Sequence, residues 1–136
     1  MKIERFEDIE AWQLARELTQ KVYQLTRKAE FARDFELKGQ IRAGSGSAMH
    51  NIAEGFDSEG SAEFIRFLRY AKRSCTEVQS ELYLALDEGY IVKAEFDEVY
   101  QQAARTRAAI HGFIRYLEKF EQTKRIRSSP THNPEP

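Results

Sequence analysis

Proline and cysteine are scarce in this sequence. All three prolines, Pro130, Pro134 and Pro136, lie in the last seven residues. Proline breaks helix interiors and marks loops, so its absence from the preceding 129 residues predicts long helices joined by short turns. The single cysteine, Cys75, cannot form an internal disulfide, which favours a reducing compartment.

Long apolar runs are also lacking. No segment approaches the ~18 consecutive apolar residues that a membrane span needs. Residues 1–5 lack the apolar core of a signal peptide, and we therefore expect a cytoplasmic protein. The chain has 136 residues, of which 41% are hydrophobic and 32% are charged, a size and composition typical of one globular domain.

The net charge of −1 argues against a protein that coats nucleic acid with its whole surface. The charge is uneven along the chain. Residues 1–100 contain 14 Lys and Arg against 19 Asp and Glu, whereas residues 101–136 contain 7 against 3. The densest basic cluster, at 124–127, either contacts phosphate or belongs to a solvated terminus, and both interpretations remain open.

Apolar residues recur at steps of three and four along most of the chain, which is the period of a helix. The pattern predicts four helices, over residues 8–30, 35–54, 62–88 and 94–122. Four helices with short joints pack as an all-α, up-down-up-down antiparallel four-helix bundle. We expect residues 1–122 to form this bundle and residues 123–136 to form a flexible polar tail.

Capping residues mark the predicted helix ends. Asp8, Asp34 and Ser61 stand where side-chain oxygens can accept from the free amides of a first turn. Gly55 and Gly89 stand where the apolar pattern stops, and glycine commonly ends a helix. These five residues set the predicted ends of the first three helices.

Small residues occupy the middle of the second predicted helix. Gly44 and Ala48, and likewise Ala43 and Ser47, are four residues apart and share one face. Since each interior glycine costs about 1 kcal/mol relative to alanine, we interpret the stripe as a surface for close helix packing. A phosphate-binding glycine loop would need a preceding strand and a following Lys-Ser/Thr, and both are missing.

Several short segments together resemble the 23S rRNA intervening-sequence proteins. The matching positions are Phe6 to Trp12, Gln40-Ile41-Arg42, Ser47, Asn51-Ile52-Ala53-Glu54-Gly55, Phe67-Leu68, Ala71, Ser74 and Glu77. The resemblance covers roughly residues 4–120 and implies a four-helix bundle that assembles as a homopentamer around a central channel. This chain lacks the family's proline in the joint after the first helix, and it lacks the Ile-Pro pair after the serine of the second helix.

The resemblance extends to accessory proteins of diversity-generating retroelements, which are basic and bind nucleic acid and a reverse transcriptase. This chain departs from that pattern, because its pI is about 6.3. A nucleic-acid-binding accessory of a reverse transcriptase is therefore an alternative to the main prediction.

The hairpin between the second and third helices predicts contacts for the polar motif residues. If its turn centres near Ser58, Arg42 faces Ser74 and lies one turn from Glu77. We predict an ion pair between Arg42 and Glu77, with Asn51 and Glu54 bonded to the turn.

Two groups of basic residues are candidates for contacts with nucleic acid. Arg66, Arg69 and Arg73 share a helix face beside Lys72. The second group lies near the C-terminus and consists of Arg115, Lys119, Lys124, Arg125 and Arg127. A solvated or ion-paired face is the other interpretation of both groups.

We predict no catalytic residue, metal site or cofactor. None of His50, His111 and His132 has a second histidine at the four-residue spacing of a zinc helix. A di-iron bundle needs Glu-x-x-His motifs, and neither Glu54 nor Glu77 begins one. Cys75 lies on the apolar stripe of its helix, where a buried thiol is expected.

The predicted function is binding by a non-enzymatic, self-assembling bundle, to structured RNA or ribosomes or to a protein partner. A metal-dependent bundle enzyme is a further alternative. Five aromatic residues do not all fit an inward face, and exposed aromatics commonly mark an interface. They are Trp12, Tyr23, Phe67, Tyr70 and Tyr83.

Overall fold

The computed structural model describes residues 2–128, with side chains described to residue 123, and every regular element in that range is helical. A 3-10 turn at Phe6–Asp8 precedes the helices, which are α1 (Glu10–Thr26), α2 (Ala29–Arg33), α3 (Phe35–Phe56), α4 (Ser61–Asp87) and α5 (Lys93–Ser128). α3 packs against α1 and α4, and α5 closes the bundle against the same two helices. The predicted all-α four-helix architecture is confirmed. Among the described helices, none is long and apolar enough to cross a membrane.

A single apolar core runs along the bundle axis. Each long helix contributes fully buried side chains to it, including Leu18, Ile41, Leu68, Leu82 and Ile110. Burying a side chain of this size stabilises the fold by about 1.5–3 kcal/mol. The three- and four-residue spacing of the buried side chains therefore determines which face of each helix packs against the core.

The first predicted helix is divided in the structure. α1 ends at Thr26, and the chain turns through Lys28 into the short α2. This turn buries Phe31, which is 0% exposed, and stacks its ring on Tyr90 with the centroids 5.3 Å apart. Burial of Phe31 under the bundle end accounts for the break, which the helical period of residues 8–30 does not reveal.

Two of the predicted end signals are confirmed. The Asp34 carboxylate accepts a hydrogen bond from the amide of Leu37 at 3.0 Å and caps α3. Gly89 has a φ of +77° and follows the end of α4. The amides of Gly89 and Tyr90 donate to the carbonyls of Leu86 and Ala85 at 3.0 and 2.9 Å, which is the Schellman pattern.

The remaining end signals differ from their predictions. Asp8 does not cap α1, because its carboxylate accepts from the amides of Glu4 and Arg5, within the preceding turn. Ser61 is the first residue of α4 rather than its cap, and Gly60 precedes it without a side-chain cap bond. Gly55 is wrong as a helix stop, since α3 continues through Phe56.

Glycine allows α3 and α4 to approach closely. A Cβ atom on Gly55 would lie 2.7 Å from Cδ1 of Phe64 and 2.9 Å from Cβ of Phe67. A Cβ on Gly44 would lie 3.2 Å from Cγ2 of Val78. Close packing at the predicted small-residue stripe is thus confirmed, and Gly55 belongs to the same contact between helices.

The last helix runs further than the apolar pattern predicts. α5 continues to Ser128, whereas the predicted end is residue 122. Residues 124–128 are helical, and their side chains lie outside the described part of the chain. The remainder of the predicted tail, 129–136, also lies outside the described residues.

Candidate functional site

The register of the α3–α4 hairpin differs from its prediction. The Ser74 hydroxyl donates to Oγ of Ser47 at 3.0 Å, so Ser74 faces Ser47 and not Arg42. The predicted register is therefore wrong by more than one helical turn. The tight contact of Gly55 with Phe64 and Phe67 is consistent with this different alignment.

Arg42 turns away from α4 and toward α1. Its Nε donates to the buried Thr26 hydroxyl at 2.8 Å, and its guanidinium carbon lies 4.3 Å from the centre of the Tyr23 ring. No ion pair joins Arg42 to a carboxylate among the described residues, so the predicted pair with Glu77 is wrong. A neutral hydroxyl and an aromatic face hold the guanidinium in place.

The other motif residues also do not bond to the turn. The Asn51 amide donates to the carbonyl and the hydroxyl of Ser47 at 2.9 and 3.0 Å. Glu54 is exposed, and the described residues offer it no hydrogen-bond or ion-pair partner. Ser58 bonds the turn instead, by donating to the Gly55 carbonyl. The predicted role of Asn51 and Glu54 in the turn is therefore wrong.

Two shallow grooves flank the outer side of α3. The groove toward α1 has a volume of about 640 Å³, and its walls include Tyr23, Arg42, His50, Asn51 and Glu54. The groove toward α4 has a volume of about 450 Å³ and is lined by Gln40, Ala43, Gly44, Ser47, Glu77, Ser80 and Glu81. We call the two grooves and the strip of α3 between them the outer face of α3.

Glu81 is a partly buried carboxylate on this face. Its Oε1 is buried, and the described residues give it no hydrogen-bond partner. Burial first, and the charge of Glu77 second, raise the pKa of Glu81 to about 7 from an ordinary 4.5. Among the described residues, no cation forms an ion pair with Glu77 or Glu81, and the raised pKa leaves Glu81 partly protonated near pH 7.

A second polar surface lies where α4 meets α5 on the outside of the bundle. Arg69 Nη2 donates to the Glu118 carboxylate at 3.0 Å, and Arg115 Nε lies 3.9 Å from the same carboxylate. Further along, Lys72 Nζ lies 3.1 Å from His111 Nδ1. Because lysine has no acceptor, Nδ1 is the unprotonated nitrogen in this contact.

Arg107 extends this surface by another helical turn, since its Nε donates to the Thr76 hydroxyl at 3.1 Å. We call the surface the basic strip and define it by Arg69, Lys72, Arg107, His111 and Arg115. Within the described residues, Glu118 is the carboxylate that bonds to it.

The structure separates the predicted phosphate-binding residues. Arg69, Lys72 and Arg115 come together in the basic strip. Arg66 pairs with Glu63 at 3.4 Å, and the Arg73 guanidinium lies 4.9 Å from the Tyr70 ring centre. Lys119 is exposed one turn beyond Arg115. The side chains of Lys124, Arg125 and Arg127 lie outside the described part of the chain.

Sequence reasoning missed Arg107 and gave His111 no role. A signal was available, because Arg107, His111, Arg115 and Lys119 follow one another at four-residue steps and so share one stripe of α5. Charge counts over long segments do not reveal such a stripe, since they average across all faces of a helix.

The cysteine and the histidines offer little chemistry. Cys75 is 0% exposed, as predicted, and burial raises the pKa of its thiol to about 12. His50 is exposed, and His132 lies outside the described residues. Over residues 2–128, no three side chains of the metal-ligating types His, Cys, Asp and Glu come together.

Aromatic side chains reach the surface as predicted. Tyr23, Tyr70 and Tyr83 are 37%, 38% and 51% exposed. Trp12 instead packs against the core, edge to face with Phe6 at 5.1 Å. The bundle therefore leaves three of the five predicted aromatics available for contacts with another surface.

The fold defines the class of protein as an antiparallel helical bundle. The sequence profile of the family described as 23S rRNA-intervening sequence protein matches residues 7–112. That match spans most of the chain, and the chain belongs to this family.

The fold is also similar to that of solved structures, four of which match. One is a protein of unknown function from the S23 ribosomal protein family of Bacteroides thetaiotaomicron, with a TM-score of 0.72 and 19% identity. The alignment covers 76% of this chain and 97% of that protein. No curated protein matches the sequence.

Proposed function

We propose that this chain is a non-enzymatic, self-assembling helical bundle that binds structured RNA through the basic strip. The observation that carries the proposal is the clustering of Arg69, Lys72 and Arg107 across two helices of a protein whose net charge is −1. Lysine and arginine bind phosphate oxygens through charge-assisted hydrogen bonds. A local excess of cations is therefore what RNA would meet.

The contacts within the strip leave its cations able to bind phosphate. Arg107 uses Nε for Thr76, so its two terminal nitrogens can donate to a phosphate. Lys72 donates to a neutral imidazole, and a phosphate oxygen is the stronger acceptor. The pair between Arg69 and Glu118 is about half exposed and contributes little stability, so RNA can displace the carboxylate.

Self-assembly would strengthen RNA binding even if the affinity of a single basic strip is weak. The exposed tyrosines Tyr23, Tyr70 and Tyr83 provide apolar contact area, and the family resemblance implies a ring of five. Repeating one strip around a ring raises the apparent affinity through multivalency. Light scattering coupled to size exclusion at micromolar concentration tests this part, and a clean monomer of 15.9 kDa would contradict it.

RNA binding is tested by fluorescence anisotropy with a labelled RNA hairpin at several salt concentrations. The variant Lys72→Ala with Arg107→Ala removes two cations from the strip. Each phosphate contact contributes about 0.7–0.9 to the slope of log K against log salt. We therefore expect the double variant to bind more weakly and to reduce that slope by about 1.5.

The matched control removes one lysine of α1 and one lysine just after it, both of which pair with carboxylates of α5. Lys21 and Lys28 pair with Glu98 and Glu95 at 2.7 and 2.8 Å, so their cations are already matched. Lys21→Ala with Lys28→Ala changes the net charge equally and should leave the salt slope unchanged. Equal losses in both double variants, or no binding by the wild type at low salt, would remove RNA from the proposal.

A further inference from the structure

On both sides of α3, charged groups of the outer face have no partner of opposite charge among the described residues. On the α1 side, Arg42 is held by Thr26 and Tyr23 without a carboxylate among the described residues. On the α4 side, Glu77 and Glu81 lie together, and the part of the chain that the structure describes offers them no ion-pair cation and offers the buried Oε1 of Glu81 no hydrogen-bond donor. A buried carboxylate oxygen of this kind is costly unless something supplies a donor.

Between these groups, the surface of α3 carries residues with little or no side chain. Gly39, Ala43 and Gly46 lie there, and a Cβ added to Gly39 would meet nothing within 4 Å. With so little side-chain volume on the strip, another helical surface can approach the backbone of α3. Side chains on the approaching surface can then reach both grooves.

We propose that the outer face of α3 is the surface through which two copies of this chain meet, with Arg42 of one copy pairing with Glu77 and Glu81 of the next. The proposal rests on the self-assembly part of the proposed function and names the residues that carry it. The ion pair that was expected inside one chain is, on this view, made between chains.

Symmetry supports a second copy as the occupant. Arg42 and the Glu77–Glu81 pair lie on opposite sides of α3. When copies are related by rotation about an axis parallel to the bundle, with α3 turned toward it, the α1 edge of one copy meets the α4 edge of the next. This holds for a two-fold pair and for a ring of five, and in both cases every copy gives and receives the same contact.

Charge also separates this face from the basic strip. Glu54, Glu77 and Glu81 line its grooves, so a polyanion such as RNA would be repelled there. A guanidinium entering the α4-side groove would supply donors to the buried Glu81 oxygen and separate the charges of two adjacent carboxylates. Desolvated Arg–carboxylate pairs of this type fix the register of an interface.

Charge reversal tests the contact, with the full-length chain as the probe and its mass by light scattering as the readout. Arg42→Glu and Glu77→Arg should each lower the assembly constant at least tenfold, because each places like charges together. Combining both changes in one chain should restore assembly, because every interface of a two-fold pair or of a ring of five then again joins opposite charges. Arg33→Glu is the matched control, since Arg33 is exposed on α2 at the end of the bundle.

The outcomes separate the inference from the proposed function. Helix content from circular dichroism must match the wild type, and Glu81→Gln serves as a milder second variant of the acidic pair. Assembly that survives both single reversals, or a combined variant that is folded but stays monomeric, overturns the interface while self-assembly stands. A monomeric wild type overturns both.

Discussion

Glycine has opposite effects at different positions of the helices, and a series of alanine substitutions in α3 and α5 measures them. In an open helix position, Gly→Ala stabilises by about 1 kcal/mol through helix propensity. Gly112 is such a position, since a Cβ there meets nothing within 4 Å. We expect Gly112→Ala to raise the free energy of unfolding by about 1 kcal/mol.

Gly55 has the same propensity but no space. Its Cβ would lie 2.7 Å from Phe64 and 2.9 Å from Phe67, and the second contact is with a Cβ that a rotamer change cannot move. Overpacking of a core costs about 1–3 kcal/mol, and the upper part of that range exceeds the gain from propensity. We expect Gly55→Ala to destabilise by about 1–2 kcal/mol, with Gly44→Ala near zero.

The assay is urea unfolding followed by circular dichroism at 222 nm, at one protein concentration and again after tenfold dilution. Gly55 and Gly112 line neither groove of the outer face of α3, so assembly adds the same amount to both variants and the difference between them should survive dilution. Adding Phe64→Ala to Gly55→Ala should recover about 1 kcal/mol beyond additivity, because it removes the nearest ring atom. If Gly55→Ala is as stable as Gly112→Ala, the close approach of α3 and α4 at this point is refuted.

Three further outcomes follow from the titrating and backbone groups. Assembly should weaken as pH falls below 7, because the raised pKa of Glu81 means that protonation removes the charge Arg42 needs; Glu81→Gln should largely abolish this dependence in sedimentation velocity. Among the described residues that line that groove, Glu77 is the only other titratable group, since α3 contributes uncharged residues there. Gly89→Ala should cost about 1 kcal/mol in thermal unfolding, since its φ of +77° is strained for alanine. Cys75 should react with a disulfide reagent only at the rate of unfolding, because its thiol is buried and its pKa lies at about 12; fast labelling of the native protein would contradict this.

The helices could be predicted because their information is local. Leu68, Val78 and Leu82 repeat at helical steps, and all three are fully buried. Asp34 and Gly89 were equally predictable, since a cap and a left-handed residue act within one turn of chain. Asp8 shows the limit of local prediction. Free amides lie near its carboxylate on both sides, and it accepts hydrogen bonds from those of the preceding turn.

The register and the motif contacts could not be predicted in this way. A few residues in the turn shift the whole alignment of α3 on α4, and periodicity does not fix that offset. Arg42 then had a competing partner on α1, where Thr26 and Tyr23 hold it without any second charge. Gly55 resembles a helix stop in the sequence because glycine at the end of an apolar pattern can either end a helix or allow a close helix contact, and the contact with Phe64 shows that it does the second.

The two proposed surfaces, the basic strip and the outer face of α3, lie on different sides of the bundle. The basic strip lies on the α4–α5 side of the bundle, whereas the outer face of α3 carries acidic residues that repel RNA. A ring built with α3 turned toward its axis would place every strip on the outside, where one long RNA can reach several copies. Loss of assembly and loss of RNA binding should therefore be separable: Arg42→Glu should remove the multivalent gain while leaving the salt dependence of each single strip intact.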